Sequence, residues 1–484
     1  MASQEIQAIL EEYIFNELPT HLLYVPHMRL MRREEVQMHF QPLVAEIGES
    51  LQDSITAHPL QTSRARTIRD LVKRRVKYAI FSHRWLRVGE PTFQDMLRGD
   101  MKGGPGYEKL KEFCNKAGEY GCDFVWSDTC CIDKTSSAEL DEAIRSMCRW
   151  YQNSDVCIAY LADSTTIIDF EHEMWFRRGW TLQEMLAPKR IKLYNKGWIP
   201  FSGDENDKNG GNVLLAISSV TKIPLHDLED FKPGMDRVAE KMSWASRRRT
   251  TRVEDVAYSL IGIFDVSLAI AYGEGERAFY RLLAAIIQDS NGLDIFYWKG
   301  ERSLYNRALP KSPACYPWLD SRLLNSPGPQ PALFNHGSNL VGDQSPALTN
   351  RGLRLNVLLV EVKFVRWQPA YAQHPDAIIE MVFRASPLHG LEEDVTITTS
   401  SGEYTIHSHF DYAVGIIDYH NMGYGEEVFA DSSRMYTAFL LARARGERPG
   451  PPYEPWCKIP TENVVKIQPR STIRSAPDTI YHTR

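Results

Sequence analysis

The chain has 484 residues, 43% hydrophobic and 24% charged, with a formal net charge of −6. Such a length exceeds one ordinary core, so two or three domains are expected, with the composition of a globular protein. The negative balance argues against general nucleic-acid binding, and no apolar run is long enough to span a membrane; the best, Leu353–Val365, is broken by Arg354, Asn356, Glu361 and Lys363.

The N-terminus, MASQEIQAILEEY, lacks the basic and apolar regions of a signal peptide, so a cytoplasmic location is the expectation. Eight cysteines in such a chain are expected as free thiols, and six lie between Cys114 and Cys157. No C-x-x-C pair occurs, so no metal site is expected and most thiols read as small core groups.

In chain order, residues 1–76 read as a helical leader and connection; Ile6, Ile9, Leu10, Tyr13 and Ile14 have helical spacing. Residues 77–222 alternate between strand and helix. The strand candidates are Val76–Ser82, Phe124–Trp126, Val156–Leu161 and Arg190–Tyr194. Between them lie an amphipathic stretch, Tyr107–Tyr120, closed by Gly121, a second one behind Ser136-x-x-Glu139, and a short helix, Thr181–Leu186, stopped by Pro188. This alternation predicts an α/β layer with a mostly parallel sheet and helices on both faces. Ligands of such sheets bind beyond the carboxyl ends of the strands. Those ends are Ser82-His83-Arg84-Trp85, Ser127-Asp128 and Ala162-Asp163.

A polar loop, Ser202–Asn212, follows, and residues 223–302 read as a helical extension. Thr251-x-x-Glu254 reads as the cap of one helix there, and Gly273-Glu274-Gly275-Glu276 as a turn opening another; its two glutamates would repel a phosphate. Residues 303–350, rich in Pro, Ser, Gly and Asn, read as an irregular linker. Residues 351–484 carry short β-prone runs, including Tyr404–His407, and predict a β-rich, sandwich-like C-terminal domain.

Several clusters admit two readings. Thr181-x-x-Glu184 is a capping box, in which Glu184 bonds back to the Thr181 backbone, or it presents a carboxylate to a ligand at the sheet edge. Ser82-His83-Arg84-Trp85 is a strand end becoming polar, or a site in which Arg84 grips a phosphate. Asp128 and Asp133 are residues of an Asx-type turn, or they bind ribose hydroxyls or orient Arg84. Cys130 or Cys131 as a nucleophile would need a nearby base and an electropositive site. Arg247, Arg248, Arg249 and Arg252 form a basic cluster, read as a solvated face or an interdomain ion-pair patch, with phosphate binding as the minority reading.

The segments Tyr78–Trp85, Trp126–Leu140 and Gly179–Glu184 resemble, in order and spacing, the three motif blocks of the fungal heterokaryon incompatibility (HET) domain. The resemblance continues through Met242–Ala245, Thr251–Tyr258, Gly262–Val266 and Tyr272–Glu276, and covers roughly residues 78–296. It implies a role in fungal non-self recognition and regulated cell death. It also implies a distant relation to Toll/interleukin-1 receptor (TIR) domains, hence a flavodoxin/TIR-like fold. Many TIR domains cleave NAD+ with a Glu in a W-x-x-x-E setting, to which Trp180-x-x-x-Glu184 is similar. The implied catalytic residue is Glu184. The implied substrate-binding residues are Ser82, His83, Arg84, Trp85, Asp128, Asp133, Arg178 and Trp180, with NAD+ or a related nucleotide as substrate and no cofactor. Self-association is expected, and no nucleic-acid or membrane partner. Trp85 and a long insertion stand where TIR domains carry a short acidic helix, so the fold transfers more directly than the activity. The alternative is a non-enzymatic module acting by self-assembly or partner binding.

Overall fold

The structure is a computed structural model that describes residues 2–57, 64–99, 103–316, 346–349, 352–369, 378–385, 394–400, 410–417, 420–421, 428–430, 436–444, 456–459, 461, 465–467, 473–475 and 478–482. The chain divides into two compact units. The first comprises Met1–Pro233 and Arg248–Ile270; the second comprises Gly234–Arg247 and Ala271–Arg484.

The first unit opens with helix α1 (Ala2–Glu17), strands β1 (His21–Tyr24) and β2 (Arg29–Arg32), and helices α2 (Arg33–Phe40), α3 (Leu43–Ala57) and α4 (Arg64–Arg75). It continues with β3 (Ala79–His83), α5 (Phe93–Arg98), α6 (Pro105–Glu119), β4 (Phe124–Trp126), α7 (Ser137–Asn153), β5 (Val156–Tyr160), α8 (Thr181–Leu186) and β6 (Ile191–Tyr194). The strands form one sheet in the order β2-β1-β4-β3-β5-β6. The pairs β3–β4, β3–β5 and β5–β6 are parallel, whereas β1 pairs antiparallel with β2 and with β4. The segment read as a helical leader therefore also supplies two strands. His21-Leu22-Leu23-Tyr24 is too short to show a period, and its strand character comes from docking Leu23 and Tyr24 against Val125 and Phe124.

The central strands are buried except at Tyr160, the last residue of β5, as sheets covered on both faces require. From β3 the chain moves to β4 on one side, then back across to β5 and on to β6. Right-handed crossovers therefore place α6 on one face and α7 and α8 on the other. Side-chain alternation along β3 agrees: Phe81 stacks on Phe113 of α6 at 4.3 Å, while Ser82 turns to α8. The order reverses between β3 and β5, and the carboxyl ends there form the crevice where such sheets bind ligands.

Local signals act as their chemistry dictates, with two exceptions. Pro105 opens α6, Gly121 in the left-handed region (φ 69°) follows its end, and Leu110, Phe113, Cys114 and Ala117 are buried. Ser136 caps α7 by accepting from the Glu139 N–H, but Glu139 does not reciprocate; its carboxylate takes the Asp133 N–H and His21. Thr251-x-x-Glu254 caps no helix either, because the helix starts beyond it at Asp255 and ends at Tyr258.

The polar loop after β6 covers the exposed edge of the sheet. The Lys192 ammonium, buried, donates to the carbonyls of Ser202 (2.9 Å) and Asp204 (2.7 Å), to Ser202 Oγ (2.9 Å) and to Asp207 Oδ1 (3.0 Å). Asp207 Oδ2 accepts the Leu193 N–H at 2.7 Å, and Asn206 Oδ1 accepts the Ile191 N–H at 3.0 Å. Side chains thus occupy edge donors that would otherwise invite another strand.

The second unit contains helices Val238–Ala245 and Arg277–Asp289 and an antiparallel sheet. Among the described residues, the sheet's main path runs Asp394–Ser400, Ile378–Ala385, Gly352–Pro369, Phe410–Ile416, Tyr436–Ala444, Cys457–Lys458. Leu358, Val360, Val414, Ile416, Ala438 and Leu440 recur every second residue and form its core. The expected strand Tyr404–His407 and most of the expected linker lie outside the described residues.

Removing the Asp207 carboxylate leaves the Lys192 charge buried and its pairing broken. Asp207→Ala is expected to cost about 3–5 kcal/mol in urea denaturation. An unchanged midpoint would show that the edge cover adds no stability.

Candidate active site

The sheet topology brings Glu184, from the start of α8, under the carboxyl end of β3. Ser82 Oγ donates to Glu184 Oε2 at 2.5 Å, and Trp175 Nε1–H donates to Ser82 Oγ at 2.8 Å. An indole N–H can only donate, so the Ser82 hydroxyl is left to donate to the carboxyl. Tyr151 Oη donates to the Phe81 carbonyl at 2.9 Å and lies close enough to Glu184 for the carboxyl to help burial push the phenol up. Cys157 Sγ contacts the Glu184 carbonyl at 3.7 Å.

The capping-box reading of Thr181-x-x-Glu184 does not hold. The residue before α8, Trp180, has helical backbone and makes no side-chain cap bond. Thr181 Oγ1 instead donates to the carbonyls of Trp175 (2.5 Å) and Arg178 (3.0 Å) and accepts from Arg248 Nη1 at 3.0 Å. Glu184 is thereby free to turn away from its own helix end and into the sheet.

Burial raises the Glu184 carboxyl to about 7; the negative charge of Asp128 adds to this, while the Ser82 hydroxyl, Arg178 and Arg248 oppose it. Enclosure pushes the Arg248 guanidinium down to about 9, against the pull of Glu184, so it stays protonated at neutral pH. Glu184 is buried, with 7% of the residue exposed.

A second cluster lies at the ends of β3 and β4. Asp128 accepts the Trp85 Nε1–H at 2.9 and 3.1 Å and contacts His83 Nε2 at 3.4 Å. The Lys134 ammonium lies 3.9 Å from the centre of the Trp85 ring, a cation–π contact. Burial pushes Asp128 up, but His83, Lys134 and Arg178 outweigh it and hold the carboxyl below its ordinary range. His83, stacked on Phe81, is pushed down by burial, and its Nδ1 is buried with no hydrogen-bond partner among the described residues. The two carboxyls that mark the site are thus driven in opposite directions.

The remaining residues fall around these clusters. Arg84 neither grips Asp128 nor stands free; it forms a two-pronged pair with Asp163 at 2.6 and 2.8 Å, across the crevice between β3 and β5. Asp133 accepts from Thr135 N (3.0 Å), Thr135 Oγ1 (2.6 Å) and Gln94 Nε2 (2.8 Å), the bonding of a turn residue. Trp180 and Arg178 are half-buried. Cys130 and Cys131 are buried in sulfur contact at 3.9 Å, and that contact together with burial raises the Cys130 thiol, away from the thiolate a nucleophile needs. Among the described residues, no group of three or more His, Cys, Asp or Glu is arranged to hold a metal. Trp175 was not legible as a site residue, because its partner Ser82 is 93 positions away.

A carboxyl whose folded pKa is raised from 4.5 to about 7 binds more protons in the folded than in the unfolded chain. Its contribution to stability is present below about pH 4.5 and is lost as pH rises through about 7, by up to about 3 kcal/mol. Glu184→Gln is therefore expected to be more stable than the parent at pH 8 and to lose this slope between pH 4.5 and 7 in thermal melts. A parallel pH profile in the variant would refute the raised value. Ser82→Ala removes the donor that opposes the rise, so the Glu184 midpoint is expected to move higher still, followed by the pH dependence of unfolding.

Residues 78–168 match the family model described as Heterokaryon incompatibility protein (HET). The match ends before Trp175 and Glu184. The chain is also 41% identical over 229 residues to Vegetative incompatibility protein HET-E-1 of Podospora anserina, an alignment covering 45% of this chain. The chain spans only 16% of that protein's length. No solved structure gives a significant match. Residues 78–168 of the chain are thus similar to the heterokaryon incompatibility (HET) domain.

Proposed function

We propose that this chain acts in fungal non-self recognition and that its HET domain hydrolyses NAD+ to nicotinamide and ADP-ribose, with Glu184 as the catalytic carboxylate. The name of its Podospora relative supports the biological role. The chemical role rests on one observation: a carboxyl raised to about 7 and fixed by Ser82 at the switch point of a doubly wound sheet. The parallel strands β4-β3-β5-β6, ordered 2-1-3-4 by their place in the chain, are consistent with a flavodoxin/TIR-like arrangement.

The chemistry needs little machinery. The bond between ribose C1′ and the pyridinium nitrogen breaks, and its electron pair leaves with neutral nicotinamide, so no general acid is required. Positive charge develops on C1′ and the ring oxygen, where an adjacent carboxylate stabilises it and holds the ribose hydroxyls. Water then adds to C1′ and its proton passes to Glu184 or to solvent, giving ADP-ribose and one proton. Ser82 and Trp175 keep the carboxyl oriented, and Trp85 or Trp180 offers a face for a nicotinamide or adenine ring.

The ionised form is the active one, so kcat/KM is expected to rise with pH through about 7. The purified 484-residue chain incubated with NAD+ should release nicotinamide, and Glu184→Gln should lower turnover by at least about a hundredfold, the scale of losing a positioned catalytic group. Turnover unchanged in Glu184→Gln would remove Glu184 from the chemistry. No turnover by the full chain in any assembly state would leave the domain as a module acting by self-assembly.

A further inference from the structure

Two arginine pairs, Arg177-Arg178 and Arg248-Arg249, lie 70 positions apart and are joined in the fold. Arg178 and Arg249 form a parallel bridge; the Arg249 N–H donates to the Arg177 carbonyl at 2.7 Å and the Gly179 N–H to the Arg249 carbonyl at 2.9 Å. Arg248 Nη1 secures the junction by donating to the Arg178 carbonyl at 2.9 Å. Residues facing each other across a bridge send their side chains to the same side of the backbone, so Arg178 and Arg249 project together. Arg178 lies near enough to Glu184 and Asp128 to draw both carboxyls down.

Neither Arg178 nor Arg249 makes a direct ion pair among the described residues, and Arg249 is exposed. Gathering guanidinium groups without direct counter-charges raises the energy of the folded chain, and a bound anion relieves it. Of the other cations at this edge, Arg84 is committed to Asp163 and Lys134 lies over the Trp85 ring. The guanidinium groups open to an anion beside Glu184 are therefore those of the bridge.

We propose that Arg178 and Arg249 form a clamp for a diphosphate, namely the diphosphate of the dinucleotide that Glu184 acts on. The proposal rests on the NAD+ reading for the identity of the ligand, and on the bridge geometry for the site. In a dinucleotide the reacting C1′ and the diphosphate belong to one nucleotide, separated by a ribose and its C5′ methylene. A phosphate site must therefore sit one sugar away from the carboxylate, and Arg178 supplies a guanidinium in that region. Two forks on one side match the paired oxygens of a diphosphate better than a lone cation does.

Titration of the full chain with inorganic pyrophosphate, by calorimetry at fixed ionic strength, tests the clamp without requiring turnover. Arg178→Ala and Arg249→Ala are each expected to weaken binding by about tenfold or more, the scale of a lost charge-assisted hydrogen bond. Arg249→Lys, which keeps the charge but not the fork, is expected to fall between. Since Arg249 is exposed, its removal leaves the core intact, which circular dichroism will verify. Pyrophosphate binding that is absent from the parent, or unchanged in Arg178→Ala and Arg249→Ala, overturns the clamp. Arginine-dependent pyrophosphate binding without NAD+ cleavage would keep the clamp and reject the activity. Cleavage with KM unchanged in Arg249→Ala would keep the activity and reject the clamp.

Discussion

The hydrogen bond from Ser82 to Glu184 ties the end of β3 to the start of α8, and the character of the site depends on it. It crosses 102 positions of sequence and buries a carboxyl where only one hydroxyl and distant cations oppose its neutralisation. Trp175 can only donate, so its indole occupies the acceptor side of Ser82 and turns the hydroxyl proton toward the carboxyl. A serine in the middle of an apolar strand is thereby satisfied on both sides, and the carboxyl gains a fixed orientation instead of a choice of partners.

The electrostatics around this bond separate two acidic groups that the sequence presents alike. Asp128 has a protonatable neighbour in His83, a donor in Trp85 and nearby cations, and is held ionised. Glu184, more deeply buried, is pushed toward neutrality. Environments that drive two carboxyls apart are the usual means by which a protein gives one of them a chemical task at neutral pH. The arrangement lowers stability at neutral and alkaline pH, since burying a charge costs more than leaving it in water. A protein that keeps such a group accepts lower stability for the sake of the site.

The same sheet shows where local signals carry the fold and where they do not. Helices α6 and α7 follow from apolar stripes and from a proline, a glycine and a serine at their ends, all local features. The hairpin β1–β2 has no such signature; its strands exist because β4 offers an edge and two apolar residues dock on it. The polar loop after β6 is legible as a loop, but its task of covering the sheet edge with Asn206 and Asp207 appears only when Lys192 is seen beneath it. The boxes at Thr181 and Thr251 are the instructive failures. A four-residue pattern states that a cap is possible, while the partners delivered by the rest of the chain decide whether it forms.

The residues alone show the strand–helix alternation of the first unit, the longer strands of the second, the motif blocks that resemble a HET domain, and the candidate acids and cations. These are local or compositional properties, set by periodicity, backbone preference and residue chemistry over a few positions. Folding alone brings Glu184 to Ser82 and Trp175, spends Arg84 on Asp163, and sets Arg178 beside Arg249. Each of these is a pairing between segments tens of residues apart. Its energy comes from burial and from the exchange of hydrogen-bond partners, neither of which is defined until the sheet has closed around them.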